Sequence, residues 1–225
     1  KPDKEMRKCV WYLCCLFLSA FAFVACDEND ATFDKYEGWQ QRNKVYFEQV
    51  ADTARRAIAA AKAEHGDQWE QHCDWRMFQS YYKVAGSAAT LTDSICVKVL
   101  NTGTGKGCPM STDTVRVHYR GMLMPTKDIV NGKDTLVQEV FDYSFVPPLD
   151  LNLAFPKLLG VSGTIVGFGT ALQYMHCGDR WMLYIPETLG YGSTAQDKIP
   201  AYSTIMFDVT LVDYYSPGSN IPDWH

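Results

Sequence analysis

Between residues 163 and 212 the apolar positions change period twice. Phe168, Leu172 and Met175 stand at i, i+4 and i+7, one stripe of a short helix, and Gly178 is placed to stop it. Trp181, Leu183 and Ile185 then alternate with Met182 and Tyr184 as far as Pro186, which predicts a strand. Ile205, Phe207, Val209 and Leu211 alternate with Met206, Asp208, Thr210 and Val212, a second half-buried strand. Between the two, Leu189-Gly190-Tyr191-Gly192 sets an aromatic between permissive residues, ahead of Ile199-Pro200. Aromatic side chains converging on a loop predict a small apolar pocket.

Upstream, residues 34–65 read as one helix of about 30 residues. Tyr36, Trp39, Tyr46, Val50, Ala57 and Ala60 recur near heptad spacing, Asp34 with Glu37 resembles a capping box, and Gly66 is a natural end. Asn43 and Thr53 interrupt the stripe, so an arm packed on its own domain competes with a homodimerisation arm through residues 34–65. Residues 67–89 follow neither period and are read as a second short helix or a packed irregular segment. Residues 86–89 read as a linker, with a domain boundary near residue 90. Ile95, Val97 and Val99 alternate, and residues 101–105 turn the chain. Val115, Val117 and Tyr119 are expected to point inward, with Arg116, His118 and Arg120 outward. Residues 124–139 read as a polar, exposed excursion. Val140-Phe141-Asp142-Tyr143 resumes a strand, Pro147-Pro148 breaks it, and Leu149, Leu151 and Leu153 alternate again. Residues 216–225 hold Pro217 and Pro222 and read as a strap without regular structure.

The N-terminal pattern is different. Met6-Arg7-Lys8 is basic, and the uncharged run that follows spans about 16 residues where a spanning helix needs roughly 20. It ends in Phe23-Val24-Ala25-Cys26, followed by Asp27-Glu28-Asn29-Asp30. Residues 1–25 resemble a bacterial lipoprotein signal peptide, cleaved before Cys26, whose thiol would carry the lipid. Phe23 stands where such sequences usually have Leu, Val or Ile; an uncleaved anchor helix is the alternative. The expected location is the cell envelope, membrane-anchored, on the periplasmic side or exposed at the surface.

Composition narrows the partners. A net charge of −5 disfavours nucleic acid, which calls for a basic face, while 47% hydrophobic and 21% charged residues are ordinary for a globular protein. Beyond Cys26 the cysteines are Cys73, Cys96, Cys108 and Cys177. An exported compartment permits disulfides among them, and small buried thiols are the other reading. His72-Cys73 and His176-Cys177 are adjacent pairs, which point apart on a helix or strand, and the glycine-rich residues 103–107 lack the Gly-Lys-Ser/Thr of a phosphate loop. No metal or cofactor is expected.

Five stretches together carry a more specific signal: SICVKVLNTGTGKGCPMSTDTV, VRVHYRGML, VFDYS, IVGFGTALQYMHCGDRWMLYIPETLGYG and KIPAYSTIMFDVTLVDY. In order and spacing, over residues 92–215, they resemble an FKBP-type peptidyl-prolyl cis–trans isomerase domain. The resemblance implies an α+β fold, a twisted antiparallel sheet of about five strands wrapped around one short helix. Here an N-terminal helical extension precedes it. The organisation expected is a signal peptide at 1–25, an acidic tether at 26–33, the helical extension and linker at 34–90, the isomerase domain at 91–215 and a strap at 216–225. It further implies a pocket in which Tyr119 is an inward aromatic and Phe141 and Asp142 supply a wall and a carboxylate. Ile165 would meet the ligand through its backbone, and Phe168 is the floor, where most members carry Trp. Tyr191 would donate to a bound carbonyl, and Ile199 and Phe207 close the apolar ring. The implied substrates are proline-containing unfolded or extended polypeptides, turned over without nucleophile, metal or general base. A non-catalytic peptide-binding or chaperone module on the same fold is the alternative.

Overall fold

A computed structural model describes residues 34–81, 88–131, 133–151 and 153–224; the expected signal peptide, Cys26 and the expected acidic tether lie outside the described residues. From Lys35 onward the chain forms one unit. Helix α1 (Trp39–His65) is 27 residues long and ends where expected, on Gly66 at φ 53°. Its start differs from expectation. Gly38 at φ 61° is the N-cap, without a side-chain cap, so the Asp34/Glu37 capping box is not used. Its buried face also differs, running through Trp39, Asn43, Phe47, Ala51, Ala54 and Ala61, while Ala60 is exposed. Asn43 is a polar tie inside that face rather than an interruption. Its Oδ1 accepts from the Thr204 N–H at 2.8 Å and its Nδ2 donates to the Trp39 carbonyl at 2.8 Å. Trp39 Nε1 donates to Ser203 Oγ at 2.9 Å beside it. The arm therefore packs on its own domain.

Among the described residues nine strands follow: β1 (Trp75–Gln79), β2 (Ser94–Asn101), β3 (Thr114–Leu123), β4 (Thr126–Val130), β5 (Lys133–Val137), β6 (Val140–Tyr143), β7 (Lys157–Gly160), β8 (Arg180–Ile185) and β9 (Ile205–Tyr215). Seven form one antiparallel sheet in the order β1-β2-β8-β9-β3-β6, with β7 also paired to β3. The α+β class stands, with more strands than about five for two reasons. Residues 75–79, expected to be helical or irregular, add an edge strand upstream of residue 90, and β6 and β7 share the outer edge of β3. Residues 67–79 hid this strand because Trp75 and Met77 pack with α1 while Phe78 stacks on Tyr174 and Trp181, so both faces are apolar.

The sheet is a layer between two helices. Ile95, Val97, Leu183, Ile185, Val209 and Leu211 join α2 (Val166–Leu172) in the main core, and Cys96 joins Phe47, Ala51 and Ala54 of α1 on the other face. Strand β9 is consequently buried on both faces from Ile205 to Leu211, not half-buried. On β3, Arg116 and His118 are buried, not outward. Their cover is the strap: the Arg116 guanidinium sits over the rings of Tyr215 and Trp224 and donates to the Pro222 carbonyl, and the His118 ring meets Phe145 and Trp224 edge-on.

One further expectation is refined and two are corrected. Residues 124–139 are a mostly exposed excursion, as expected, and it is shaped as the β4–β5 hairpin, turning at Asn131 with φ 52°. Leu149, Leu151 and Leu153 are not in a strand; the alternation sits in a loop whose Leu151 and Leu153 face solvent. Helix α2 ends at Leu172, well before Gly178, whose φ of 94° and close approach to Gly103 serve a later turn. Cys73, Cys96, Cys108 and Cys177 are all free thiols.

Candidate active site

Strands β3, β6 and β9, helix α2 and the 190–192 turn surround a cavity of about 530 Å³. It is lined by Tyr119, Phe141, Asp142, Leu159, Gly163, Thr164, Ile165, Phe168, Tyr191 and Phe207. Seven of the eight expected residues are thus together. Ile199, buried, instead borders an adjoining cleft of about 410 Å³ that shares Phe141 as its wall and is also lined by Tyr36, Glu139 and Pro200.

Alternation on β9 and β3 aims Phe207 and Tyr119 at the same space, where they are paired strands. Helix α2 reaches it because Gly167 lies against β8; a Cβ there would stand 2.3 Å from Ile185 Cγ2. The next residue, Phe168, then forms the floor. Its ring is 4.6 Å from Phe207 and 6.3 Å from Tyr119, and Phe207 is 6.1 Å from Tyr119 and 5.7 Å from Phe141, every pair edge-to-face. Such pairs contribute about 0.5–1.5 kcal/mol each beyond area burial, enough to hold the rings without a bound ligand.

Phe141 and Asp142 arrive through an irregularity. Gly121 pairs with Asp142 and Met122 with Val140, which leaves Phe141 as the extra residue of a bulge. Bulges re-aim side chains beside functional sites, and here Phe141 turns over Gly121. Ser144 locks the end of β6: its N–H donates to the Tyr119 carbonyl at 2.8 Å, and its Oγ accepts from the Tyr119 N–H at 2.9 Å. Asp142 Oδ2 then accepts the Tyr119 hydroxyl at 2.5 Å. Burial, and after it this bond, hold the Tyr119 phenol well above its ordinary value of 10.0. Burial and then the Asp142 charge raise the Tyr191 phenol too. Both hydroxyls are protonated donors at neutral pH. The Tyr119 hydroxyl donates its hydrogen bond to Asp142, whereas the Tyr191 hydroxyl has no acceptor among the described residues.

Leu159, Gly163 and Thr164 line the cavity but carry no pattern that singles them out in the sequence. Leu159 is recruited by pairing of β7 with the outer edge of β3, and Gly121 is needed only because of the bulge opposite. Among the described residues no three His, Cys, Asp or Glu side chains gather as a metal site would need.

Comparison with known proteins identifies the family. A family model described as FKBP-type peptidyl-prolyl cis-trans isomerase matches residues 105–212. The FKBP-type 22 kDa peptidyl-prolyl cis-trans isomerase of Escherichia coli (strain K12) is 37% identical over 117 residues, 52% of this chain and 48% of that protein. The FKBP-type isomerase FkpA of the same organism is 24% identical over 196 residues, 84% of this chain and 65% of its own length. The chain thus spans about half to two thirds of these bacterial relatives. FK506-binding protein 1 of Aspergillus oryzae, a shorter protein, is 33% identical over 118 residues, which is 51% of this chain and 93% of its own length. With a relative matched over nearly its whole length, and with the cavity built from the strands, helix and turn that the resemblance named, the chain belongs to the FKBP-type peptidyl-prolyl cis–trans isomerase family.

Proposed function

We propose that this protein is a lipid-anchored peptidyl-prolyl cis–trans isomerase of the cell envelope, acting on proline-containing unfolded or extended segments of exported polypeptides. The observation that carries the reading is the division of labour at the cavity. Asp142 occupies the Tyr119 hydroxyl, and Tyr191, whose hydroxyl has no acceptor among the described residues, lines the same cavity as Phe168 and Phe207. Rotation about an X–Pro bond is slow because resonance gives the C–N bond double-bond character, with a barrier of about 18–20 kcal/mol. An aromatic cavity that excludes water disfavours the charge-separated resonance form, and so favours the twisted imide relative to the planar one. A thousandfold acceleration needs only about 4 kcal/mol of this preference. In this scheme Tyr191 donates to a substrate carbonyl, Phe168 supports the prolyl ring, Phe141, Ile165 and Phe207 wall it in, and Ile199 borders the neighbouring cleft. Tyr119 and Asp142 hold the wall. No residue changes its covalent state.

A peptide isomerisation assay tests the reading. Wild type should accelerate the reaction, and Tyr191→Phe and Asp142→Ala should each be slower; a wild type no faster than the uncatalysed reaction refutes it. The anchor is tested by labelling cells with a clickable fatty acid, where the label should vanish in Cys26→Ala. A homodimer through residues 34–65 would use the outward side of α1, since Trp39, Phe47, Ala51 and Ala54 are already packed. Light scattering with and without those residues decides that point.

A further inference from the structure

From Tyr143 at the end of β6 to Leu158 at the start of β7, most of the large apolar side chains of the described residues are turned to solvent. Val146, Leu153 and Phe155 keep 71%, 76% and 73% of their surface exposed, and Tyr143, Leu151 and Leu158 keep 54%, 55% and 47%. These are six of the thirteen large apolar side chains exposed among the described residues, gathered into one short loop and the strand ends that flank it. The loop is held in place. Phe145 is buried against His118, Ser144 is hydrogen-bonded to Tyr119, and the Leu153 and Ala154 N–H groups donate to the Asp150 carbonyl at 3.1 and 2.9 Å. Tyr143, Val146, Leu153 and Phe155 border one concavity of about 370 Å³. Clustered apolar surface of this kind marks an interaction site.

Position and charge indicate what covers it. The loop leaves the candidate active site from Asp142 and returns to it at Leu159, and both residues line the main cavity. Whatever lies on the loop is therefore next to whatever occupies the cavity. Asp150 and Lys157 are its only charged residues, one of each sign, so the loop itself lacks the cluster of basic side chains that meets anionic lipid headgroups. The chemistry it suits is a neutral, apolar stretch of polypeptide.

We propose that the 143–158 loop is a second docking surface for the client, holding an apolar segment of the same unfolded chain whose prolyl bond lies in the cavity. This rests on the isomerase reading above. It makes the protein selective for clients that are both unfolded and apolar near proline, beyond what a short peptide in the cavity can report.

The double substitution Leu153→Ser with Phe155→Ser alters only exposed side chains, and circular dichroism checks that the fold is kept. Two substrates are compared: a short proline peptide that fills the cavity alone, and a reduced, unfolded protein whose refolding is limited by prolyl isomerisation. The expected result is unchanged kcat/KM on the peptide and a loss of at least about fivefold on the protein, carried by KM, as removal of two contact side chains gives. Equal effects on both substrates, or none on either, overturn the proposal. A wild type inactive on the peptide sinks the isomerase reading separately. Docking is then read from binding of a permanently unfolded reduced protein by fluorescence anisotropy, where the double variant should again bind at least about fivefold more weakly. Unchanged binding there, with loss of binding to phosphatidylglycerol vesicles, assigns the loop to a membrane and overturns the proposal. So does a change from dimer to monomer by light scattering, which assigns it to a second copy.

Discussion

The ring of Phe141 lies so close over Gly121 that a Cβ on that glycine would stand 2.4 Å from its Cε2 and 2.9 Å from Phe207 Cε1. The contact follows from the bulge that makes Phe141 the unpaired residue of β6. It sets the distance between two walls of the cavity, because Gly121 and Phe207 are partners across β3 and β9.

Gly121→Ala should therefore push Phe141 off its position. Neither ring can retreat freely, since each is edge-packed on another aromatic. We expect kcat/KM on a short proline peptide to fall about tenfold or more, as misplacement of a binding wall does. The unfolding free energy should drop by about 1–3 kcal/mol from overpacking. Normal activity together with a normal unfolding midpoint would show that the rings yield at no cost.

Tyr119→Phe separates packing from hydrogen bonding at the same site. The ring contacts to Phe168 and Phe207 remain, and only the hydroxyl to Asp142 is removed. Because Asp142 is solvent-exposed, water can replace that donor, and the stability loss should be near about 1 kcal/mol. Asp142→Ala removes the same bond and also strips the carboxylate from the cavity lining and leaves the buried Tyr119 hydroxyl without its acceptor, so it should cost more activity. Paired urea unfolding and peptide assays on the two variants check this, and a larger activity loss in Tyr119→Phe would reverse the assignment of Asp142 as the holding residue.

Asn43 joins α1 to the strand that carries Phe207. Its Oδ1 satisfies the buried Thr204 N–H, one residue before β9 begins. Asn43→Ala leaves that donor without a partner, which costs about 1–3 kcal/mol. Urea unfolding should show a lower midpoint with an unchanged slope, since the surface exposed on unfolding is nearly the same.

How much of this was legible beforehand follows from which faces are covered. Trp181, Leu183 and Ile185, and Ile205 to Leu211, alternate cleanly, so β8 and β9 were readable, as was the pocket that Phe168, Tyr191 and Phe207 share. The second face of the sheet was not. Asn43 looked like a break in an apolar stripe because its partner, Thr204, lies far along the chain. Arg116 and His118 looked like solvent-facing residues because the cover from Trp224 and Pro222 has no periodic signature. Strand β1 was hidden for a related reason, its apolar residues serving both faces at once. Ile199 was placed in the right neighbourhood and falls one cleft away, since loop residues carry no period to fix their direction. The alternating Leu149, Leu151 and Leu153 were read as a strand because alternation alone does not distinguish a buried face from one that a partner would cover.

His118 gives the pH dependence. It is fully buried between the edges of Phe145 and Trp224, neither ring nitrogen has a partner among the described residues, and burial lowers its pKa below the ordinary 6.5. Above pH 6.5 the imidazole is neutral in both folded and unfolded chains, so the native state keeps its full stability. As the pH falls below 6.5 the unfolded chain takes up a proton that the folded one refuses, and stability drops until the folded-state pKa is passed. His118→Phe keeps an aromatic edge against Phe145 and Trp224 and removes the titration. Thermal unfolding at about pH 7.5 and about pH 5 should show a larger fall in Tm for wild type than for His118→Phe, the excess being the part that linkage assigns to this one group. Equal falls in the two proteins would mean that the imidazole is solvated or paired in the folded state and that the strap does not seal the outer face of β3.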